Sequence, residues 1–285
     1  MNTYLPIHLI RDNNFNISGG SLKKPTFKIA IPTYDRPQYL KKSTLNYLDE
    51  CKINHKDIYI FVDNKQQEEI YKKEIDNSYN LIRGGNKGKL GHDGINNFIL
   101  DYFKQGEPIL FLHDDLIGVY KSICSPKPHQ KKITTDLTTE MLKLINYMKK
   151  EKTILGGVNN SSNNMWNCNN KTDYRKDLPF VPSFVYMLFI DKQIKLPKGV
   201  VNDDIDRSFR IMEKYGSIVR LNKIWANANS RTLEGGLDKT NVDNKVKQNL
   251  IKLKKEFPQY LKEIVEDKSS SNQNYKWKPI FSKVI

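Results

Sequence analysis

The chain has 285 residues, enough for one large α/β domain or one domain with a small appendage. Apolar residues make up 38% of it, and no run approaches the roughly 18 apolar residues of a membrane span. Met1-Asn2-Thr3-Tyr4 lacks the charged-then-apolar layout of a signal peptide. The formal net charge of +15 is spread along the chain rather than gathered into one arm. That distribution fits a surface that meets polyanions such as DNA or RNA, and equally the Lys-, Asn- and Ile-rich bias of an AT-rich genome.

Cys51, Cys124 and Cys168 show neither metal-ligand spacing nor an even count. Together these features lead to the expectation of a soluble, reduced, intracellular protein, in cytoplasm, nucleus or a virus-infected host cell.

Residues 1–25 are polar and contain Gly19-Gly20-Ser21, an irregular lead-in. Phe27 to Ile31 then reads as a strand closed by Pro32, and Leu40, Leu45 and Leu48 follow at near-helical spacing. Ile58 to Val62 is a second strand, Gln66 to Ile75 a charged helix, and Leu81-Ile82 a short third strand. Asp93 to Phe103 has a helical pattern, with Ile95, Phe98, Ile99 and Tyr102 on one face. Gly84-Gly85-Asn86-Lys87-Gly88 fits neither a dinucleotide fingerprint nor a P-loop.

The second half is less regular. A helix over 138–150, a strand from Thr153 to Val158 and an Asn-rich loop over 159–178 are expected. So are a β-prone stretch from Phe180 to Ile190, an amphipathic helix from Asp203 to Tyr215, a strand from Ser217 to Leu221 and a basic helix from Val242 to Glu256. Strands alternating with helices imply an α/β fold with a mostly parallel central sheet and helices on both faces, as a single domain with peripheral additions. The expected division is a regular α/β half over about 26–120, a less regular half over about 121–266 and a polar tail over 267–285.

One strand stands apart. Ile109-Leu110-Phe111-Leu112 runs from Pro108 into His113-Asp114-Asp115, a buried strand ending in an acidic tip. Ligands of open α/β sheets bind outside the carboxyl ends of the strands. Carboxylates there can hold a hard divalent cation that grips a nucleotide's phosphates, or can be solvated loop residues.

Ile31-Pro32-Thr33-Tyr34-Asp35-Arg36-Pro37, then the acid-tipped strand, then an acidic helix start resemble the GT-A nucleotide-sugar glycosyltransferases. More particularly, Lys56 to Asn64 with Gln67-Glu68-Glu69-Ile70-Tyr71, and Gly91 to Ile99 with Asp101-Tyr102-Phe103, resemble the TET/JBP-associated glycosyltransferases. That family is thought to glycosylate hydroxymethylated pyrimidines in DNA, including the step that completes base J. The resemblance covers residues 27–120 well and the remainder loosely. The family's three-acid cluster stands here as His113-Asp114-Asp115, and its Arg-Asn pair as Asn96-Asn97.

The resemblance implies a fold of GT-A type and a metal-dependent transfer of a sugar, glucose from UDP-glucose, onto a hydroxymethyl group of a modified pyrimidine in DNA. It implies Mn2+ or Mg2+ on Asp115 with Asp114 assisting, and a donor site formed by Thr33, Tyr34, Arg36, Asp63, Lys89, Asn97, Asp114 and His113. Tyr34 can stack on uracil and Arg36 can grip a phosphate with its planar fork. The acidic first turn of the helix at Asp203 complements a helix dipole, and can equally supply the general base, Asp204 before Asp203. A single base of this sort suits inversion at the sugar.

In many GT-A enzymes a late His completes the metal shell; here no His follows His129, and Asn227 or Asn229, or water, takes that place on the resemblance. Trp166 and Tyr174, in the Asn-rich loop, are the candidate acceptor contacts, an aromatic there being able to support an extruded base. Two rivals remain at this stage: a glycosyltransferase of the same fold acting on a protein or glycan, and a non-catalytic nucleic-acid-binding module.

Overall fold

The computed structural model describes residues 27–85, 90–159, 161–177, 180–229, 242–266 and 276–282. It opens on a parallel unit. β1 (Lys28–Pro32) buries Ile29, Ala30 and Ile31, and leads through α1 (Pro37–Leu40), a π-helical turn (Lys41–Leu45) and α2 (Asn46–Glu50) into β2 (Ile58–Val62). Pro37 suits a first helical turn, where a missing N–H leaves no bond unmade. α3 (Lys65–Glu74) is capped by Asn64, whose side chain accepts from the Gln67 N–H at 3.1 Å. β3 (Asn80–Arg83), α4 (Gly91–Tyr102) and β4 (Pro108–Leu112) complete this half.

The chain continues through β5 (Leu116–Ile123), β6 (His129–Lys132), α5 (Leu137–Lys150), β7 (Leu155–Asn159), α6 (Asn164–Asn169), β8 (Tyr174–Arg175) and β9 (Val185–Phe189). α7 (Asp203–Tyr215), β10 (Val219–Ala228), α8 (Val242–Glu256), β11 (Leu261–Glu266) and β12 (Trp277–Phe281) close it. The main sheet has the order β3-β2-β1-β4-β9-β7-β10-β5-β6, with β8 on β10. From β3 to β4 every pairing is parallel. Beyond β4, β9 enters antiparallel between β4 and β7, and β10 is parallel to β7 but antiparallel to β5. Hence β1, β2, β4, β7 and β10 all point their carboxyl ends to one edge.

Adjacent glycines let β7 be covered closely on both sides. A Cβ on Gly156 would stand 2.7 Å from Met148 Sδ of α5, and one on Gly157 would overlap Val181. α7 ends on Gly216, whose φ of 75° is the left-handed conformation that stops a helix. A second, smaller core lies outside α7. There Ile205 and Phe209 pack with Val246, Leu250 and Leu253 of α8, Phe257, and Leu261 of the β11–β12 hairpin. β12 falls in the stretch read as a polar tail, and Trp277 holds its place under Lys247, 3.9 Å from ring centroid to Nζ.

Cys124 and Cys168 form a disulfide across a separation of 44 residues, and Cys51 is the buried free thiol. The partners meet because α6 docks on the far end of β5, a tertiary contact that spacing does not reveal. Disulfides persist in oxidising compartments, so the cysteines no longer argue for a reduced setting. No helix among the described residues is long and apolar enough to cross a membrane.

Candidate active site

The acidic tip of β4 emerges at the common carboxyl edge, and a side chain from the π-helical turn fixes its path. Thr44, fully buried, donates to the His113 carbonyl at 2.7 Å and accepts from the Leu116 N–H at 3.0 Å. Both sides of Asp114-Asp115 are thereby pinned. π-helical turns often occur at functional sites, and here the insertion presents Thr44 to the tip.

The two carboxylates then divide. Asp114 Oδ2 accepts from Thr33 Oγ1 at 2.7 Å, and Asp114 Oδ1 lies 3.4 Å from Arg36 Nη1. Asp115, 2% exposed, has Oδ2 3.7 Å from the same guanidinium nitrogen, while its buried Oδ1 has no hydrogen-bond partner. The nearest basic nitrogen to Oδ1 is His113 Nδ1 at 3.8 Å, and burial pushes His113 down to about 4, leaving it uncharged near neutrality. Burial also raises both Asp114 and Asp115, against the pull of Arg36.

An ionised carboxylate oxygen that is buried and unpaired calls for a cation. The donor set available here, carboxylates and amide oxygens, suits a hard divalent ion. The end of β10 closes the tip: the Asn229 N–H donates to the Asp115 carbonyl at 3.0 Å, and exposed Asn227 stands opposite Gly118. Among the described residues, however, no three His, Cys, Asp or Glu side chains gather as a metal cluster. A cation on this edge would rest on Asp115, Asp114 and neutral oxygens.

Thr33, Tyr34 and Arg36 follow β1 on the same edge. Asp35 between them has φ 56°, a left-handed turn uncommon outside glycine, held by its N–H donating to Gln67 Oε1 at 2.9 Å. Beneath them Tyr71, fully buried on α3, accepts from the Arg36 N–H at 3.0 Å and bonds Thr33 Oγ1 at 2.6 Å. Tyr34 is half-buried. Asp63 follows β2, also at this edge, and its Oδ2 accepts from the Leu90 N–H at 3.0 Å, tying the end of β2 to the entry of α4.

The first turn of α7 forms the other wall. Asp203 Oδ1 lies 3.1 Å from His92 Nε2 of α4, and Oδ2 lies 3.2 Å from Arg207 Nη1. Burial works to raise Asp203, but His92 and then Arg207 outweigh it and hold the carboxyl below its usual range. Asp204 is pushed up to about 7, by burial first and by the Asp203 charge second. A carboxyl with an affinity for protons near neutrality is suited to general-base chemistry. Asp206 faces away, into an ion pair with Arg210 at 2.6 Å.

Thus Thr33, Arg36, His113, Asp114 and Asp115 come together, with Tyr34, Asp63, Asn227 and the Asp203–Asp204 pair around them on the same edge. Other predicted site residues lie apart. Asn97 is occupied structurally: its amide donates to the Leu196 carbonyl at 2.9 Å and accepts from the Leu196 N–H at 2.8 Å. Tyr174 sits opposite Leu221, about seven residues and so roughly 23 Å from the carboxyl end of β10, with its hydroxyl on Glu151 at 2.6 Å. Trp166 lies on α6, which bonds Ser122 at the far part of β5, and is 60% exposed. Neither aromatic reaches the acid cluster. Lys89, with its neighbour Lys87, lies outside the described residues.

Several partners were not anticipated: Thr44, Tyr71, His92, Tyr186 and Arg207. Helical spacing held a trace of two of them, since Gln67 and Tyr71 share one buried face of α3, and Arg207 follows Asp203 by one turn.

No protein-family model and no curated protein matches the chain. Solved structures do. Mannosyltransferase PcManGT from Pyrobaculum calidifontis, in complex with GDP-Man and Mn2+, matches with a TM-score of 0.51 at 11% identity, over 87% of this chain and 70% of that one. GalNAc-T7 with UDP, GalNAc and Mn2+ matches with a TM-score of 0.50 at 11% identity, over 79% of this chain and 48% of that one. The chain therefore has the GT-A glycosyltransferase fold, a mixed α/β domain on one large central sheet. At this identity the likeness is one of fold.

Proposed function

We propose that the chain is a metal-dependent glycosyltransferase that takes its sugar from a nucleotide donor. The observation that carries this reading is the orphaned carboxylate oxygen of Asp115, buried on a strand tip at the carboxyl edge of a GT-A sheet. Both solved neighbours named above were captured with Mn2+ and with a nucleotide or nucleotide sugar, which supports the same ligand class here. On this reading Asp115, Asp114 and Asn227 would hold Mn2+ or Mg2+, and Thr33, Tyr34, Arg36, Asp63 and His113 would line the nucleoside and its phosphates. A divalent ion in that place supplies neutralisation of the charge that gathers on a departing nucleoside diphosphate. Asp204 accepts the proton of the acceptor hydroxyl, and Asp203 is the second choice.

For the finer identity we propose glucose from UDP-glucose as the group transferred and a hydroxymethylated pyrimidine in DNA as the acceptor. Three features support it: the resemblance over residues 56–103, the charge of +15, and the exposed lysines Lys245, Lys252 and Lys255 of α8, the helix packed on α7. Counterion release from phosphates gives such a surface its affinity for a duplex.

The test offers UDP-glucose, UDP-GalNAc and GDP-mannose with Mn2+ to oligonucleotides carrying cytosine, hydroxymethylcytosine or hydroxymethyluracil, and weighs the DNA by mass spectrometry. A gain of one hexose confined to the hydroxymethylated strands is expected. Donor hydrolysis without any gain in DNA mass would move the acceptor to a protein or glycan. No turnover of any nucleotide sugar would end the reading.

A further inference from the structure

Two neighbouring carboxylates titrate as a pair, and which of them takes up the proton is set by the groups bonded to each. The structure treats Asp203 and Asp204 differently. Asp203 is 8% exposed, and each of its oxygens meets a basic group from a different part of the fold. His92 Nε2 approaches from α4 at 3.1 Å, and Arg207 Nη1 from the next turn of α7 at 3.2 Å.

Arg207 is itself fixed. It is 5% exposed, its guanidinium carbon lies 3.9 Å from the Tyr186 ring centroid, and Nη1 also donates to Tyr186 Oη at 2.9 Å. Tyr186 in turn is stacked on Phe111 of β4 at 4.7 Å with an interplanar angle of 7°. His92 is held by Asn96, one turn along α4, whose amide donates to the His92 carbonyl at 2.7 Å and lies 3.5 Å from its ring nitrogen. Asp204, by contrast, accepts from the Ile205 N–H of its own turn at 2.9 Å, and no ion-pair partner stands against it among the described residues. The charged or titratable groups around the two carboxylates are His92 from α4, His113 from the β4 tip, Tyr186 from β9 and Arg207 from α7 itself.

We infer that His92, Asp203 and Arg207 form one fixed ion-paired unit that keeps Asp203 ionised and out of the chemistry, so that proton acceptance falls to Asp204 alone. This rests on the glycosyl-transfer reading. In the step assigned to Asp204, the acceptor oxygen bonds to the anomeric carbon and its proton passes to the Asp204 carboxylate. The bond from that carbon to the nucleoside diphosphate breaks, and its electron pair leaves with the diphosphate. Asp203, His92 and Arg207 are positioning residues. A fixed negative charge beside Asp204 makes Asp204 the better proton acceptor of the two. Burial disfavours a charged His92, and Asp203 more than offsets it, so His92 is raised as part of the same unit.

The experiment uses the full chain and three variants, Asp203→Asn, Asp204→Asn and His92→Gln. NMR titration of the imidazoles, with His92 assigned from the spectrum of His92→Gln, should place its midpoint above the ordinary value of about 6.5 and lower it by about one unit or more in Asp203→Asn. The rate of UDP-glucose hydrolysis with Mn2+ should rise with pH. That acid limb should move to lower pH in Asp203→Asn, where the neighbouring charge is gone, and vanish in Asp204→Asn.

The inference is overturned if His92 titrates at or below about 6.5, or if Asp203→Asn abolishes the limb while Asp204→Asn keeps it. Should the wild type turn over no nucleotide sugar, the glycosyl-transfer reading fails while the imidazole titration still decides the unit. If Asp203→Asn does not fold, the wild-type titration assigned with His92→Gln decides it.

Discussion

Replacing Tyr71 with Phe tests the wiring under the proposed donor edge. A backbone N–H can only donate, so the Arg36 N–H gives its proton to Tyr71 Oη. With Asp114 ionised, Thr33 gives its own proton to Asp114 Oδ2, which leaves Thr33 Oγ1 to accept from the Tyr71 hydroxyl. The chain of donors therefore runs one way, from Arg36 through Tyr71 and Thr33 to Asp114, and each bond polarises the next. Tyr71→Phe removes the middle oxygen at a fully buried position and with it two hydrogen bonds. At about 1 kcal/mol each, plus part of the cost of leaving buried polar groups without partners, the loss is about 2–3 kcal/mol. For a chain of this size, at about 2–4 °C per kcal/mol, Tm should fall by about 4–12 °C.

Thermal unfolding followed by circular dichroism measures this, and a cycle with Thr33→Val supplies the control. The two substitutions break the same chain, so their effects should be non-additive by about 0.5–3 kcal/mol. A Tm shift under about 1 °C together with an additive cycle would refute the relay. The same variant should bind UDP more weakly in calorimetry, because Thr33, without the Tyr71 hydroxyl to fix it, orients Asp114 less firmly.

Asp115→Asn should raise the Tm of the metal-free chain while weakening Mn2+ binding by about tenfold or more, read by calorimetry. Burial raises the folded-state pKa of Asp115, so the stability it contributes is present at low pH and lost as pH rises through that value; Asn mimics the protonated form. Unchanged Mn2+ affinity would remove Asp115 from the metal site. Reduction of Cys124–Cys168, which closes a span of 44 residues, should lower stability by about 4 kcal/mol in urea unfolding, and the double Ser variant should match the reduced wild type. Affinity for duplex DNA should fall linearly in log–log form as salt rises, with a shallower slope when Lys245, Lys252 and Lys255 are replaced by Ala; a salt-independent affinity would sink the polyanion surface.

The elements most legible in the sequence are those whose ends are chemically marked. α7 was expected from Asp203 to Tyr215 and runs over those residues, since acidic residues open it and Gly216 closes it. The parallel half was legible for the same reason, its apolar strands being bounded by Pro, Gly and capping Asn residues. β6 was not, because His129-Gln130-Lys131-Lys132 is an edge strand with no apolar residue, held by its pairing to β5. β5 was missed because it leaves the acidic tip without a turn signal and carries Gly118 and Lys121. The β11–β12 pairing escaped because Leu261 is the one fully buried residue of its two strands, so no apolar run marks them.

At the candidate site, strand position was enough to bring Thr33, Arg36, Asp114 and Asp115 together, because parallel strands must bring their carboxyl ends to one edge. They were not enough for Asn97. His92 and Asn96 lie one turn apart and share the face of α4 that meets Asp203, whereas Asn97 is rotated by a further 100° or so and meets Leu196 instead. A single helical step separates a contact with the acid pair from a purely structural bond. Choosing between Asp203 and Asp204 required still more, because the two are chemically identical in the sequence and share one helix turn. What differs is the tertiary supply of cations: α4 delivers His92 and the Tyr186 stack holds Arg207, both to Asp203. On the proposed reading, Asp204, the carboxylate that keeps no such partner, is the one left to accept the proton.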